Sequence, residues 1–252
     1  MIVGKHALVT GGGTGFGRAI ALALARAGVA VTICGRRKAE LARVASEDGH
    51  INSIVADVTS EAAMAALFTE AEKARGPLDI VVANAGVSSS SPASRTSLAE
   101  WQRTLDINLT GSFLTVKPAL AGMAKRKSGR IVFIASTAGL KGYPYVAHYV
   151  AAKHGVVGLT RALAIELAKT GVTVNAICPG FAETEMLPEI VQRIVDKTGR
   201  TAEQARASLT ATNPQGRFIQ TQEVAAAVLW LCSEEAGSIT GQALSLSGGE
   251  TW

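Results

Sequence analysis

The sequence predicts a single α/β domain built around a parallel sheet, and three observations carry that expectation. Short, nearly unbroken apolar runs such as His6-Ala7-Leu8-Val9-Thr10 and Arg130-Ile131-Val132-Phe133-Ile134-Ala135 fit strands covered on both faces. Longer Ala- and Leu-rich stretches with apolar residues at helical spacing separate such runs, so strand and helix alternate along the chain. The first strand also passes through a glycine-rich turn straight into a helix.

Nothing in the 252 residues suggests a second domain: no linker, repeat or composition shift interrupts the pattern, and residues 1–252 are expected to form one unit. Hydrophobic residues make up 48% and charged ones 18%, while the net charge of +5 is spread over mixed-sign segments, so no nucleic-acid partner is expected. Cys34, Cys178 and Cys232 are odd in number, widely spaced and set in apolar runs, which fits core thiols in a reducing compartment and neither disulfides nor a metal site. There is no leader-like start and no apolar run of bilayer length, so no membrane partner and a cytoplasmic location are expected.

The first strand opens into Gly11-Gly12-Gly13-Thr14-Gly15-Phe16-Gly17 and a helix over about 18–27. Glycines there admit positive φ and let a pyrophosphate approach the free N–H groups and dipole of the helix N-terminus. A tight connection alone would also use glycine, but a strand before and a helix after favour nucleotide binding. The second strand, 29–34, ends at Gly35-Arg36-Arg37-Lys38, about where an acid would meet the ribose 2′-OH of NAD. A glycine and two arginines stand there instead, which favours the 2′-phosphate of NADP, with NAD possible. Solvated charges at a helix start are the plainer alternative.

A third strand, 51–56, delivers Asp57 and Val58; a helix over 61–75 leads to a fourth strand, 78–83, ending in Asn84-Ala85-Gly86-Val87, whose backbone suits the lining of adenine and ribose. Ser88 to Ser91 form a low-complexity run, either a flexible loop or a pocket rim. Residues 98–125 place Trp101, Leu105, Leu109, Phe113 and Val116 at helical spacing with Asn108 among them, an amide that needs partners or holds water near the chemistry.

Ser136 follows the strand 130–135, at the carboxyl end where open α/β sheets bind ligands. Tyr149 and Lys153 lie i,i+4 on a predicted helix over 148–168 and share a face. An ammonium so placed is expected to lower the phenol's pKa and make Tyr149 a usable acid/base. An ordinary helix-surface pair is the plainer reading. Further on, the strand 172–178 ends at Pro179-Gly180-Phe181 with Thr184 just beyond, and 185–212 form a partly helical excursion expected to be a lid. A helix over 221–233 and a strand over 243–247 close the chain.

Together these residues resemble the short-chain dehydrogenase/reductase family over essentially the whole chain. Thr10-Gly11-x-x-x-Gly15-x-Gly17 matches its cofactor turn, with Gly13, Thr14 and Phe16 inside it; Asp57 matches its adenine contact and Asn84-Ala85-Gly86 its fourth-strand motif. Asn108, Ser136, Tyr149 and Lys153 match its catalytic tetrad, and Pro179, Gly180 and Thr184 its nicotinamide-side loop. Ala83 departs from an asparagine common in the family, and Thr14 stands where many NADP-preferring relatives carry a basic residue.

The resemblance implies a Rossmann-type doubly wound seven-stranded parallel sheet in three α/β/α layers, and hydride transfer between NADP(H) or NAD(H) and a carbonyl or secondary alcohol. Tyr149 would exchange the proton, Ser136 bond the substrate oxygen, Lys153 hold the ribose and Asn108 anchor a relay water. It points to a 3-oxoacyl thioester or polyketide ketone; a small cyclic or aromatic secondary alcohol is the alternative, and a non-catalytic nucleotide sensor a third reading. Leu140, Tyr143, Tyr145, His148, Phe181 and Met186 are pocket candidates by proximity. Apolar Val156, Val157, Leu159 and Leu163 on more than one side of their helix, together with the resemblance, lead to an expected homotetramer, or homodimer.

Overall fold

A computed structural model describes residues 2–252. Seven strands form one parallel sheet: β1 (His6–Thr10), β2 (Ala30–Gly35), β3 (Ile51–Val55), β4 (Ile80–Ala83), β5 (Gly129–Ile134), β6 (Val172–Pro179) and β9 (Ala243–Leu246), in spatial order β3-β2-β1-β4-β5-β6-β9. β7 (Ala182–Glu183) and β8 (Ile219–Gln220) make a separate two-stranded ribbon. The strand order reverses between β1 and β4, which opens a crevice at the carboxyl ends.

Helices cover both faces. On one side lie α1 (Gly15–Arg26), α2 (Lys38–Ala45) and α9 (Thr221–Cys232); on the other lie α3 (Glu61–Arg75), α5 (Gly111–Arg126) and α6 (Ala147–Leu167). Alternation along each strand feeds two cores: Ala7 and Val9 join the first, Leu8 the second. Both faces being covered, β4 is wholly apolar and β1 carries the unbroken run Ala7-Leu8-Val9, and the three cysteines are buried and free.

The helical stretch after β4 differs from expectation. It is α4 (Leu98–Leu105), a π-turn over Asp106–Thr110, and then α5. The π-turn rotates the helix face, so Thr104, Asn108, Ser112, Thr115 and Ala119 point inward while Phe113 is exposed and Trp101, Leu105 and Leu109 are only half-buried. Inward hydroxyls satisfy themselves: Ser112 donates to the Asn108 carbonyl and Thr115 to that of Gly111, each at 2.7 Å. Val156, Val157 and Leu163, expected to need a partner subunit, are buried in the chain's own core; only Leu159 is half-buried.

The segment 185–212 contains α7 (Leu187–Thr198) and α8 (Ala202–Thr210). Leu187, Val191, Ala205 and Leu209 bury a small core of their own with Phe218, so the excursion is an ordered subassembly over the crevice.

Candidate active site

The carboxyl ends of β1, β2, β4, β5 and β6 open into one cleft of about 640 Å³, a size typical of small-molecule sites. It is lined by Gly11, Gly13, Thr14, Gly15, Phe16, Arg36, Arg37, Asp57, Val58, Asn84, Ala85, Gly86, Asn108, Ser136, Tyr149, Lys153, Gly180 and Thr184, which brings nearly every expected site residue together. Gly17 and Pro179 are outside the lining and act from behind it.

The glycine turn fits a dinucleotide's phosphates. Gly11 and Gly15 adopt φ of 65° and 54°, which side chains disfavour. At Gly17 a Cβ would lie 2.2 Å from the Gly11 carbonyl oxygen, so only glycine lets α1 pack this closely under the turn. Thr14 caps α1 without a side-chain bond, and the Gly15 N–H donates to a carboxylate oxygen of Glu185 at 2.8 Å. The free helix end therefore already attracts an anion, the role a pyrophosphate would take. Asn84 braces the turn by donating from Nδ2 to the Thr10 carbonyl at 2.8 Å.

At the ribose end Arg37 donates to the Thr14 hydroxyl at 3.0 Å, and Arg36 lies 3.9 Å from Asp57. Asp57 accepts from the Thr59 N–H and hydroxyl, bonds that hold its carboxyl below the usual carboxylate range. The β2 exit itself carries Gly35, Arg36 and Arg37 and no acid, and both guanidiniums line the cleft, so these residues fit a phosphate there.

The tetrad residues converge from separate elements. Ser136 leaves β5, Tyr149 and Lys153 share one face of α6, and Asn108 sits in the π-turn. Lys153 donates to the Ile134 carbonyl at 2.8 Å and lies 5.6 Å from the centre of the Tyr149 ring. Burial pushes the phenol up to about 12, opposed by its hydrogen bond with Ser136, and brings the Lys153 ammonium down to about 8. The expected lowering of the phenol by Lys153 is not found: desolvation dominates both groups, and the ammonium is turned toward a carbonyl. Tyr149 is a protonated acid at neutral pH.

Asn108 is fully buried and its amide is committed. Nδ2 donates to the carbonyls of Val87 and Thr104, each at 3.0 Å, and Oδ1 accepts the Val87 N–H at 3.2 Å. The expected relay water is left only a second lone pair on Oδ1, against Gly86, where a Cβ would come within 2.8 Å. The side chain instead ties the exit of β4 to the π-turn.

Of the pocket candidates, Tyr143, Phe181 and Met186 line the cleft, whereas Leu140, Tyr145 and His148 do not. Leu140 packs on the core, Tyr145 is 65% exposed at a φ of 67°, and His148 is buried with Nε2 at 2.9 Å from the Ser89 hydroxyl. The serine loop is pinned: Ser88 lines the cleft, Ser89 also donates to Glu100, and the Ser91 N–H donates to the Tyr145 carbonyl. Sequence reasoning missed Glu185 and Thr137. Glu185 follows Thr184 directly and was legible as an acid beside a phosphate turn only once the lid was known to fold back; Thr137 carries no pattern signal.

Among known proteins, the model of the short chain dehydrogenases matches residues 5–195. A putative ketoacyl reductase of the granaticin polyketide synthase from Streptomyces violaceoruber is 40% identical over 249 residues, 96% of this chain and 92% of that protein. A 3-oxoacyl acyl-carrier-protein reductase of Aquifex aeolicus is 39% identical over 251 residues, covering 98% of this chain and 97% of its own. Among solved structures, a variant actinorhodin polyketide ketoreductase with NADPH superposes with a TM-score of 0.94 at 38% identity, over 98% of this chain and 97% of that one. Levodione reductase superposes at 0.91 and 32% identity, over 98% of each chain. With the doubly wound sheet, the glycine turn and the Ser136, Tyr149 and Lys153 cluster already in place, these matches establish that the chain belongs to the short chain dehydrogenase family.

Proposed function

We propose that this enzyme reduces the keto group of a 3-oxoacyl thioester or related polyketide chain, with NADPH as the preferred cofactor. Family membership makes it an NAD(P)-dependent oxidoreductase of keto and hydroxyl groups. The observation that carries the reading is the convergence of Ser136, Tyr149 and Lys153 at one end of a cleft whose other end is a phosphate-fitting turn with Arg36 and Arg37. The substrate class is supported by the ketoacyl reductases that match nearly end to end, and the cofactor by the NADPH in the actinorhodin ketoreductase structure.

When bound, the nicotinamide supplies hydride to the carbonyl carbon. This chain's residues do the rest. Gly11 through Gly17 and the open end of α1 hold the pyrophosphate, Asp57 and Val58 border the adenine, and Asn84, Ala85 and Gly86 border the adjoining ribose. Pro179, Gly180 and Thr184 shape the nicotinamide side. Tyr149 donates its proton to the carbonyl oxygen as charge develops, and Ser136 donates a hydrogen bond to the same oxygen. Lys153 holds the ribose hydroxyls and offsets the charge on the tyrosinate left behind. A phenol kept protonated by burial suits the reductive direction.

The chain is taken as one domain with its lid at about 185–212, working in the cytoplasm as a homotetramer. Exposed Phe113 on α5 and exposed Ile165 on α6, together with half-buried Leu109 and Leu159, support self-association through these helices. Light scattering at micromolar concentration tests it, a monomeric mass counting against it. The functional test is a panel of 3-oxoacyl thioesters, cyclic ketones and their alcohols with both cofactors. The highest kcat/KM should fall on a 3-oxoacyl thioester with NADPH; cofactor binding without turnover of any of them would favour a nucleotide sensor.

A further inference from the structure

Behind the ketone pocket lies a buried acid that the catalytic cluster does not use. Glu250, two residues from the chain's end, has a side chain only 2% exposed. Its Oε1 lies 2.6 Å from the Tyr143 hydroxyl and 2.9 Å from Lys141 Nζ. Its Oε2 is buried without a hydrogen-bond partner among the described residues, and a Cβ on Gly180 would come within 3.4 Å of it.

Tyr143 is a wall of the cleft, and its ring stands edge-on to Phe181 at 6.4 Å and 81°. The Tyr143 hydroxyl also lies 2.7 Å from Thr137 Oγ1. One phenol proton serves one acceptor, and an ionised carboxylate is the stronger of the two, so Tyr143 donates to Glu250 while Thr137 donates to the phenol oxygen. Both the proton and a lone pair of Tyr143 are thereby occupied, and the substrate meets a ring with no free polar tip.

The tail that carries Glu250 also reaches the lid's exit. At Gly248 a Cβ would come within 1.9 Å of Asn213 Oδ1, at Gly249 within 3.6 Å of Pro214, and the Gly180 N–H donates to the Leu246 carbonyl at 3.0 Å. Residues 246–251 thus touch Asn213 and Pro214 just after the lid, the turn after β6 and the pocket wall at once.

We propose that Glu250 is a positioning and specificity-determining residue of the ketone pocket, holding Tyr143 so that its ring borders the substrate, and linking that wall to the end of the lid. This rests on the ketoreductase reading. Without the carboxylate, the Tyr143 phenol regains a free proton at the cleft wall and the wall loosens against Phe181, so the ketone is held less well while the proton donor is untouched.

The experiment compares wild type with Glu250→Ala, Glu250→Gln and Tyr143→Phe, using the best ketone of the panel and NADPH. Loss of a charge-assisted bond should raise the ketone KM of Glu250→Ala about tenfold, with the KM for NADPH and the kcat little changed. Glu250→Gln, which keeps the shape and an acceptor for Tyr143, should recover most of that loss. A wild-type ketone KM in Glu250→Ala overturns the proposal. Absence of any wild-type ketone turnover would sink the ketoreductase reading instead, and tyrosinate absorbance titration then decides the Glu250 assignment. The chain has three tyrosines, and Tyr143→Phe identifies one step. Burial and Glu250 both raise the Tyr143 phenol, so that step should move to lower pH in Glu250→Ala; an unmoved step overturns the proposal.

Discussion

Replacing Lys153 by methionine should stabilise the cofactor-free protein while removing its activity. The side chain is 4% exposed, and burial brings its pKa from 10.5 to about 8. A fall of that size corresponds to about 3 kcal/mol of unfavourable free energy while the group is charged. Methionine fills a similar volume without charge, but the 2.8 Å bond to the Ile134 carbonyl is lost, returning about 1 kcal/mol. The net gain near pH 7 is then about 2 kcal/mol, or roughly 4–8 °C in Tm for a domain of this length. Between pH 8 and 10.5 the unfolded lysine keeps a proton that the folded one has lost, so wild-type stability rises with pH across that window. The advantage of Lys153→Met should therefore shrink above pH 8 by about 1.4 kcal/mol per unit, vanish roughly 1.5 units higher, and by 10.5 give way to a deficit of about 1 kcal/mol from the lost hydrogen bond. Urea unfolding of both proteins at about neutral pH and at steps up to about 10.5 measures this. A variant less stable than wild type at neutral pH, or an advantage independent of pH, would refute the reasoning.

Tyr149→Phe should lower kcat by about 10²- to 10⁴-fold while leaving NADPH affinity intact, because only the proton donor is deleted; steady-state kinetics beside a fluorescence titration checks both. Glu185→Gln should tighten NADPH binding about fivefold, since a carboxylate that competes for the Gly15 N–H becomes neutral, an effect of about 1 kcal/mol at an exposed site; equal or weaker binding would count against it. Arg36→Ala should reduce the NADPH-to-NADH ratio of kcat/KM about tenfold and Arg37→Ala less, since Arg37 is already engaged by Thr14. Equal ratios in wild type would show both arginines to be surface charges.

The sheet was legible because strands covered on both faces leave unbroken apolar runs, as in β1, β4 and β5. The i,i+4 spacing placed Tyr149 and Lys153 on one helix face correctly. What spacing could not convey was the balance of forces on them, since burial of each group depends on elements far away in sequence. Asn108 illustrates a second limit: its position was legible, but its partners Val87 and Thr104 depend on a π-turn that leaves no mark in composition. Val156 and Leu163 looked like interface residues because a helix buried on two sides within one chain has the same pattern as one shared between subunits. Glu250 was invisible for a related reason, as its partners Lys141 and Tyr143 lie more than a hundred residues away.

The π-turn at Asp106–Thr110 also sets where this chain can tolerate changes in length. Each residue of an α-helix advances the face by about 100°. Deleting one residue within that turn would relax it to an ordinary helix but swing everything after it by that angle, carrying Ser112, Thr115 and Ala119 out of the interior and Asn108 off Val87. Adding one would have the opposite rotation and the same result. The five residues form a gauge block whose count is held by two packed faces at once, whereas length variation in the exposed turn after α7, at Gly199 and Arg200, would disturb neither.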